Sequence, residues 1–505
     1  MSYDTRVTWA VKSVAMYLWA LAVIVLACLR LCHVHWLWAD EDYHLAAAIR
    51  ILHSQIPYRD FWYDKPPLAA FYYVLIGGFS GWTLRLLDSA YILLGCFLIY
   101  RLSGSRLAAF LLAFFTAFYL PAAVIPFAPD ALLLVPHLAA VYFAFRRRAF
   151  WAGIFCGIGL LINLKAVFIL PVCALWLLTE LPLLAAGFAL PLLASALTLI
   201  LTGAWTGFYE QVWQWGVLYA HGAPVPHPIQ LGLTRILNWL GFHSALLLGA
   251  TLFFLRAQKD RLRFAAWIVL SFVAVCLGNH FAPRYFLQVL PPLAVVAARG
   301  FTKHLLLAPT VDTQPEALAP HDRTGIQLRS LTLPALFRDL RLCGITLAIL
   351  LLIPLIRFGP RYAIVAMGRD PNWPDVALDR DSQQAAAIIQ KSALPGDTLF
   401  VWGYRPDIYV YARRLSDSRF WDSQPLTGVP ADRHLTESQN ILGPSAALHR
   451  AEFVQSGPTF FVDGLGLLNP ALAPRNFPEI RQWMLQYKLV ARTRLCSIYH
   501  KINPE

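Results

Sequence analysis

The chain has 505 residues, of which 58% are hydrophobic and only 14% charged, with a formal net charge of +13. Soluble domains carry roughly 25% charged residues, so this composition excludes a chain that mostly faces water. The positive balance does not point to nucleic acid either. Lys and Arg gather in short clusters between apolar runs, such as Arg146-Arg147-Arg148 and the stretch from Arg256 to Arg263, as in loops retained on the cytoplasmic side of a membrane.

In chain order, Arg6 and Lys12 precede an apolar run from Val14 to Leu31 with no small-residue cleavage site, which predicts an uncleaved signal anchor. Runs near the length needed to cross a bilayer fall at 14–35, 84–101, 106–123, 130–145, 150–163, 166–180, 182–202, 242–256, 264–279, 285–299 and 340–357. They predict an α-helical polytopic membrane protein with about eleven spans of roughly 17–25 residues each. With the N-terminus cytoplasmic, the inner loops contain Arg101, Arg106, Arg146 to Arg148, Arg256 to Arg263 and the segment from Arg299 to Arg341. The cationic clusters then share one side. The other side receives 36–83, 123–130, 203–241, 279–284 and everything after about 358. The apolar stretch 68–82 is short, follows Pro66-Pro67 and contains Gly77, Gly78 and Gly81, so it reads as an interfacial helix on the outer surface. In 203–241, Trp205, Trp213, Trp215 and Trp239 suit the headgroup level.

The expected organisation is a transmembrane unit over 1–358, with an outer catalytic loop near 36–83 and a polar cytoplasmic linker at 302–338. A small α/β extracytoplasmic domain follows over 359–505. Its signals are short apolar runs at Thr398 to Trp402 and Thr459 to Val462, a terminal strand pair within Lys488 to Tyr499, and helical stretches near 380–391 and 478–487. Seven of the eight cysteines lie in apolar runs and only Cys496 falls in this tail, which therefore cannot close a disulfide of its own.

The segment richest in chemistry places Asp40, Glu41 and Asp42 at the outer end of the first span. Asp64-Lys65-Pro66-Pro67 follows. Ionised carboxylates resist leaving water, so three of them beside hydrocarbon are either a solvated helix cap or a device for a substrate that is itself partly in the lipid. An anionic lipid phosphate needs cations on the same face. Lys65, Lys165 and Arg284 each stand there at a span end, although a single such residue is as readily explained by snorkelling. Asp130 opens a span on that face, where a helix N-cap is the competing reading. The histidines His221, His227 and His280 form no recognisable metal triad, and no metal ligands are named. No G-x-G-x-x-G or P-loop occurs.

Ala39-Asp40-Glu41 with Tyr43, then Tyr63-Asp64-Lys65-Pro66-Pro67-Leu68, resembles the membrane glycosyltransferases of the C superfold. It is most similar to the bacterial relatives of protein O-mannosyltransferases and of the aminoarabinose transferase acting on lipid A. Asp130-Ala-Leu-Leu, Leu161-Ile-Asn-Leu-Lys165 and Pro283-Arg284-Tyr285-Phe-Leu extend the likeness over roughly 14–300. The resemblance implies an inverting transfer, metal-dependent or assisted by a divalent cation, from a polyprenyl-phosphate sugar to a lipid, glycan or protein acceptor, in a bacterial inner membrane. On it, Asp40 is the candidate general base and Glu41 and Asp130 orient the acceptor or a cation. Lys65, Lys165 and Arg284 bind the donor phosphate, and Tyr43, Asp64 and Tyr285 contact substrate. The alternatives are a ligase or polymerase of lipid-linked glycans and a flippase. Transporters place ionisable groups near the bilayer midplane in related halves; here the charges sit at span ends on one side and no repeat is visible.

Overall fold

A computed structural model describes residues 17–119, 126–222, 227–255, 260–305, 333–369, 373–430 and 439–502. Arg6 and Lys12 of the expected anchor, Arg256, and positions 306–332 of the expected linker lie outside these residues. The chain is mostly helical. Three helices are long and apolar enough to cross a membrane: Trp82–Ser103, Leu181–Leu201 and Leu342–Ala366. A fourth candidate is the pair Pro228–Phe242 and Ser244–Phe254, bent by 81°. Tyr17–His33, Arg106–Ala117, Pro129–Phe145, Ala149–Ile162 and Leu164–Trp176 are apolar but shorter.

The apolar runs are therefore less regular than the hydropathy pattern suggests, and the irregularities have a common location. The run at 130–145 is split into Pro129–Leu132 and Leu134–Phe145. The run at 166–180 is preceded by a 3-10 turn at Leu164–Phe168, and the run at 285–299 by another at Pro283–Val289. Lys165 and Arg284 lie in these two 3-10 turns, and Asp130 lies in the single helical turn before the interruption at Leu133. Irregular backbone at membrane depth is tolerated where it lines a polar cavity. Between the breaks the helices pack closely through small residues; a Cβ on Gly300 would sit 1.9 Å from the Gly249 carbonyl oxygen.

The helix expected at 68–82 shrinks to the single turn Phe71–Val74. Gly77 and Gly78 follow at φ 65° and 62°, values that no continuing helix uses. Of the tryptophans assigned to the headgroup level, Trp205 and Trp213 are exposed, but Trp215 and Trp239 are not. Trp215 packs edge-on against Trp62, and Trp239 stacks on His243 and Phe286. Packing claimed these two rings because they lie on the protein side of their helices.

After helix Pro374–Ser392 the chain forms a four-stranded mixed sheet: β1 (Leu399–Trp402), β2 (Phe460–Asp463), β3 (Tyr487–Arg492) and β4 (Ser497–Lys501), in the order β1-β2-β4-β3. β1 and β2 are parallel, and the other two pairings are antiparallel. β1 is buried throughout, as expected for a strand covered on both faces. This layer is tied to the segment 50–62. Trp62 donates its amide to the Arg419 carbonyl at 2.8 Å, Trp421 donates its indole N–H to the Trp62 carbonyl at 2.7 Å, and Arg50 donates to the Ser418 carbonyl at 3.0 Å.

Candidate functional site

The site begins at the turn before helix Glu41–Leu52. Asp40 caps that helix with φ 75° and ψ −32°, a backbone region that a residue with a Cβ occupies at a cost of about 1–3 kcal/mol. The strain lifts its carboxylate toward Arg284, whose Nη1 lies 2.5 Å from Asp40 Oδ2. The Arg284 Nε is 3.6 Å from Asp130 Oδ2, so one guanidinium bridges two carboxylates. Asp130 Oδ1 accepts from Lys165 Nζ at 3.0 Å and from Asn163 Nδ2 at 3.1 Å. Asn163 in turn caps the 3-10 turn by accepting the Lys165 amide, which fixes that lysine's backbone. Asp130 is not itself a cap: Ala128 occupies that position, and Asp130 lies in the first turn of a four-residue helix.

Lys65 donates to Asp64 at 2.7 Å and lies within electrostatic range of Asp40. Burial alone would draw the Lys65 ammonium down, but Asp64 and then Asp40 outweigh it and hold the group above the ordinary lysine value. The other Asp64 oxygen is buried with no hydrogen-bond partner among the described residues. Lys165 Nζ also lies over the Tyr285 ring. The structure thus brings Asp40, Asp64, Lys65, Asp130, Lys165, Arg284 and Tyr285 into one cluster drawn from five separated stretches of the chain.

Two of the expected residues stand elsewhere. Glu41, next to Asp40, is fully buried and forms a two-pronged pair with Arg85, with both distances 2.8 Å. It also accepts the Phe127 amide at 2.5 Å and the Trp38 amide at 3.2 Å. Its oxygens are committed, so it cannot orient an acceptor or a cation; it anchors the segment that leads to Asp130. Tyr43 is 1% exposed and sits among Tyr63, Tyr404 and Trp421, with its hydroxyl accepting the Asp64 amide at 3.3 Å. It supports the cluster from behind.

Sequence reasoning left three neighbours out of the site. Tyr404, from the turn after β1, stacks on Tyr43 at 5.4 Å and lies in electrostatic range of Asp40 and Asp64. Its signal was the Trp402-Gly403-Tyr404 turn, which carries no mark of where it docks. Tyr219 lies in range of Lys65, Arg284 and Asp40 and stacks on His280; neither residue has a distinguishing local pattern. His44 bonds the Tyr63 hydroxyl at 2.6 Å and is pushed down to about 3 by burial and then by Lys65, so it stays neutral and is no acid catalyst near neutral pH.

Among the described residues no three His, Cys, Asp or Glu side chains stand together as a cation site. Asp40, Asp64 and Asp130 each already face Lys or Arg. The donors present do not fit a resident divalent cation.

No protein-family model and no curated protein matches the sequence. The fold is nevertheless similar to that of solved structures along almost the whole chain. The chain is similar to the crystal structure of ArnT from Cupriavidus metallidurans bound to undecaprenyl phosphate, with TM-score 0.57 and 15% identity over 97% of this chain and 99% of that one. The apo state of the same protein matches with TM-score 0.54 and 15% identity over 99% and 100% of the two chains.

Proposed function

We propose that this chain is a polytopic membrane glycosyltransferase that takes a sugar from a polyprenyl-phosphate donor on the non-cytoplasmic face and transfers it with inversion. In this reading the shorter apolar helices complete about eleven spans, the host is a bacterial inner membrane, and residues 359–505 form an extracytoplasmic domain. The single observation that carries the reading is the convergence of Lys65, Lys165 and Arg284 on the carboxylates Asp64, Asp130 and Asp40, with Lys165 and Arg284 each in a 3-10 turn. The likeness to the fold of ArnT bound to undecaprenyl phosphate supports a lipid-phosphate donor.

In the resting protein Arg284 holds Asp40. An arriving phosphodiester competes for that guanidinium, because phosphate accepts the same planar pair of N–H groups as a carboxylate. Asp40 is then released to take the proton of the acceptor hydroxyl while its oxygen bonds to the anomeric carbon. The bond from that carbon to the phosphate oxygen breaks, and its electron pair leaves with the polyprenyl phosphate. The phosphate gains one negative charge in the step, and the three cations are placed to stabilise charge that grows there. Asp130 keeps Lys165 and Arg284 aimed at it. A cavity of about 410 Å³ lined by Trp62, Glu210, Trp213, Leu218 and His449 lies nearby in the chain, Leu218 being next to Tyr219, and is the candidate acceptor space.

The test is transfer from a panel of radiolabelled polyprenyl-phosphate sugars in membrane vesicles, comparing wild type with Asp40→Asn at matched protein level. Transfer from one donor, lost in the variant, is the expected result. Undiminished turnover by the variant removes Asp40 from the mechanism, and movement of intact donor across the vesicle without transfer makes the chain a flippase. A glycan ligase would instead accept only donors carrying a whole oligosaccharide.

A further inference from the structure

At the other end of helix Leu134–Phe145 from Asp130, roughly 24 Å away at 1.5 Å per residue, lies a second charged constellation of different character. A cavity of about 380 Å³ is lined by Arg101, Tyr142, Phe143, Arg146 and Arg148. In the outer cluster every cation faces a carboxylate. Here, among the described residues, none of the three arginines lining the cavity makes an ion pair, whereas Arg147 between them does, with Glu180 at 3.7 Å.

The local backbone produces this sorting. Helix Leu134–Phe145 and helix Ala149–Ile162 are joined by Arg146, Arg147 and Arg148 alone. Arg147 takes φ 59°, a left-handed conformation that a residue with a Cβ adopts at a cost. It turns away from the cavity, donating to the Trp176 carbonyl and pairing with Glu180. Its neighbours are left on the cavity side, where Arg101 joins them from the last turn of helix Trp82–Ser103. The guanidiniums of Arg146 and Arg101 lie over aromatic rings, Tyr142 and Phe97, at 5.6 Å each. Charge in this loop satisfies the positive-inside rule wherever it points. That rule does not account for the convergence of arginines from a helix end and a separate loop on one hollow, where like charges repel.

We propose that this hollow is an anion site for a phosphate group, distinct from the donor site. Arginine forks match phosphate oxygens in pairs, and the neighbouring surface is apolar and exposed, with Phe97, Tyr100, Phe150 and Trp151 on its flanks. That setting fits the headgroup of an anionic phospholipid; a free phosphate would use the same arginines without the apolar flank.

The experiment uses the full-length protein in detergent. Native mass spectrometry and melting curves are recorded during titration with dioctanoyl phosphatidylglycerol, with dioctanoyl phosphatidylcholine and with inorganic phosphate. Arg101→Gln/Arg146→Gln is compared with wild type and with the control Arg261→Gln. Saturable binding of phosphatidylglycerol, at least tenfold weaker in the double variant and unchanged in the control, supports a headgroup site. Equal saturation by inorganic phosphate, with the same loss, supports a soluble phosphate as the ligand. Absence of saturable binding by either anion, or binding by the double variant equal to wild type, overturns the proposal. If the double variant fails to insert, Arg101→Lys/Arg146→Lys/Arg148→Lys keeps the charge that orients the loop but loses the forks; about threefold weaker binding is expected, and unchanged affinity overturns the proposal.

Discussion

Asp40 and Glu41 are neighbours in the chain with nearly the same chemistry, yet they belong to opposite kinds of ionic structure. Glu41 enters a dry lock. Its partner Arg85 also donates to the carbonyls of His33 and Trp36 at 3.2 and 2.7 Å, and Asp88, which pairs with Arg30, completes the network. Side chains in that network are at most 3% exposed. Asp40 enters a wet cluster whose Arg284 is 36% exposed and whose contacts are single-pronged. Every donor of Arg85 has a fixed acceptor, so its energy goes into holding loops 33–41 and 126–130 against helix Trp82–Ser103. The Asp40 cluster leaves guanidinium and ammonium hydrogens available to another anion. The comparison teaches that a buried, fully satisfied pair is scaffolding, whereas a strained and partly satisfied one is available to a substrate.

The sharpest test exchanges the two neighbours. Asp40→Asn is expected to lower transfer about 10²–10⁴-fold, the usual range for removing a general base, with the melting temperature unchanged. Glu41→Ala is expected to do the reverse. It leaves Arg85 buried without its carboxylate, costing about 3–5 kcal/mol, seen as a collapse in melting temperature or in recovered protein. If Glu41→Ala melted like wild type, the scaffolding role would be lost. Next in size, Lys165→Met is expected to reduce transfer at subsaturating donor by about tenfold or more, while leaving Asp130 held by Asn163 and Arg284. A rate equal to wild type would detach the lysine from the donor phosphate.

The smallest effect lies outside both clusters. Asp379 is pushed up to about 8 by burial and then by Asp407, while accepting hydrogen bonds from Tyr411 at 2.7 Å and Gln383 at 2.8 Å. Its ordinary value is 3.8, so between the two the folded chain binds a proton that the unfolded chain releases. Its contribution is complete below the unfolded value and fades as pH rises through the folded one. The melting temperature of wild type should therefore fall by several degrees from pH 5 to pH 8, and by less in Asp379→Asn. Parallel curves would show that this carboxyl does not bind its proton more tightly in the folded chain.

Much of the helical architecture was legible in the residues because apolar runs, charge clusters and proline act locally. Helices Trp82–Ser103 and Leu181–Leu201 lie within two residues of the runs that foretold them, and the terminal strand pair lies where alternation and the Lys488 to Tyr499 run put it. The interruption at Leu133 and the 3-10 turns holding Lys165 and Arg284 were not legible, since hydropathy averages over a window and a 3-10 turn changes no residue's polarity. Nor was the burial of Trp215 and Trp239, which depends on the helix face that a neighbour covers.

What the amino-acid order determined by itself is a largely apolar helical chain with acids and cations gathered at the ends of its apolar runs, because transfer free energies sum along a segment without reference to its partners. Only the tertiary structure decided that Asp40 meets Arg284 while Glu41 meets Arg85. Those partners lie far along the chain in different helices, and one turn with positive φ separates two adjacent carboxylates into different environments. Pairing over such separations is a property of how helices pack.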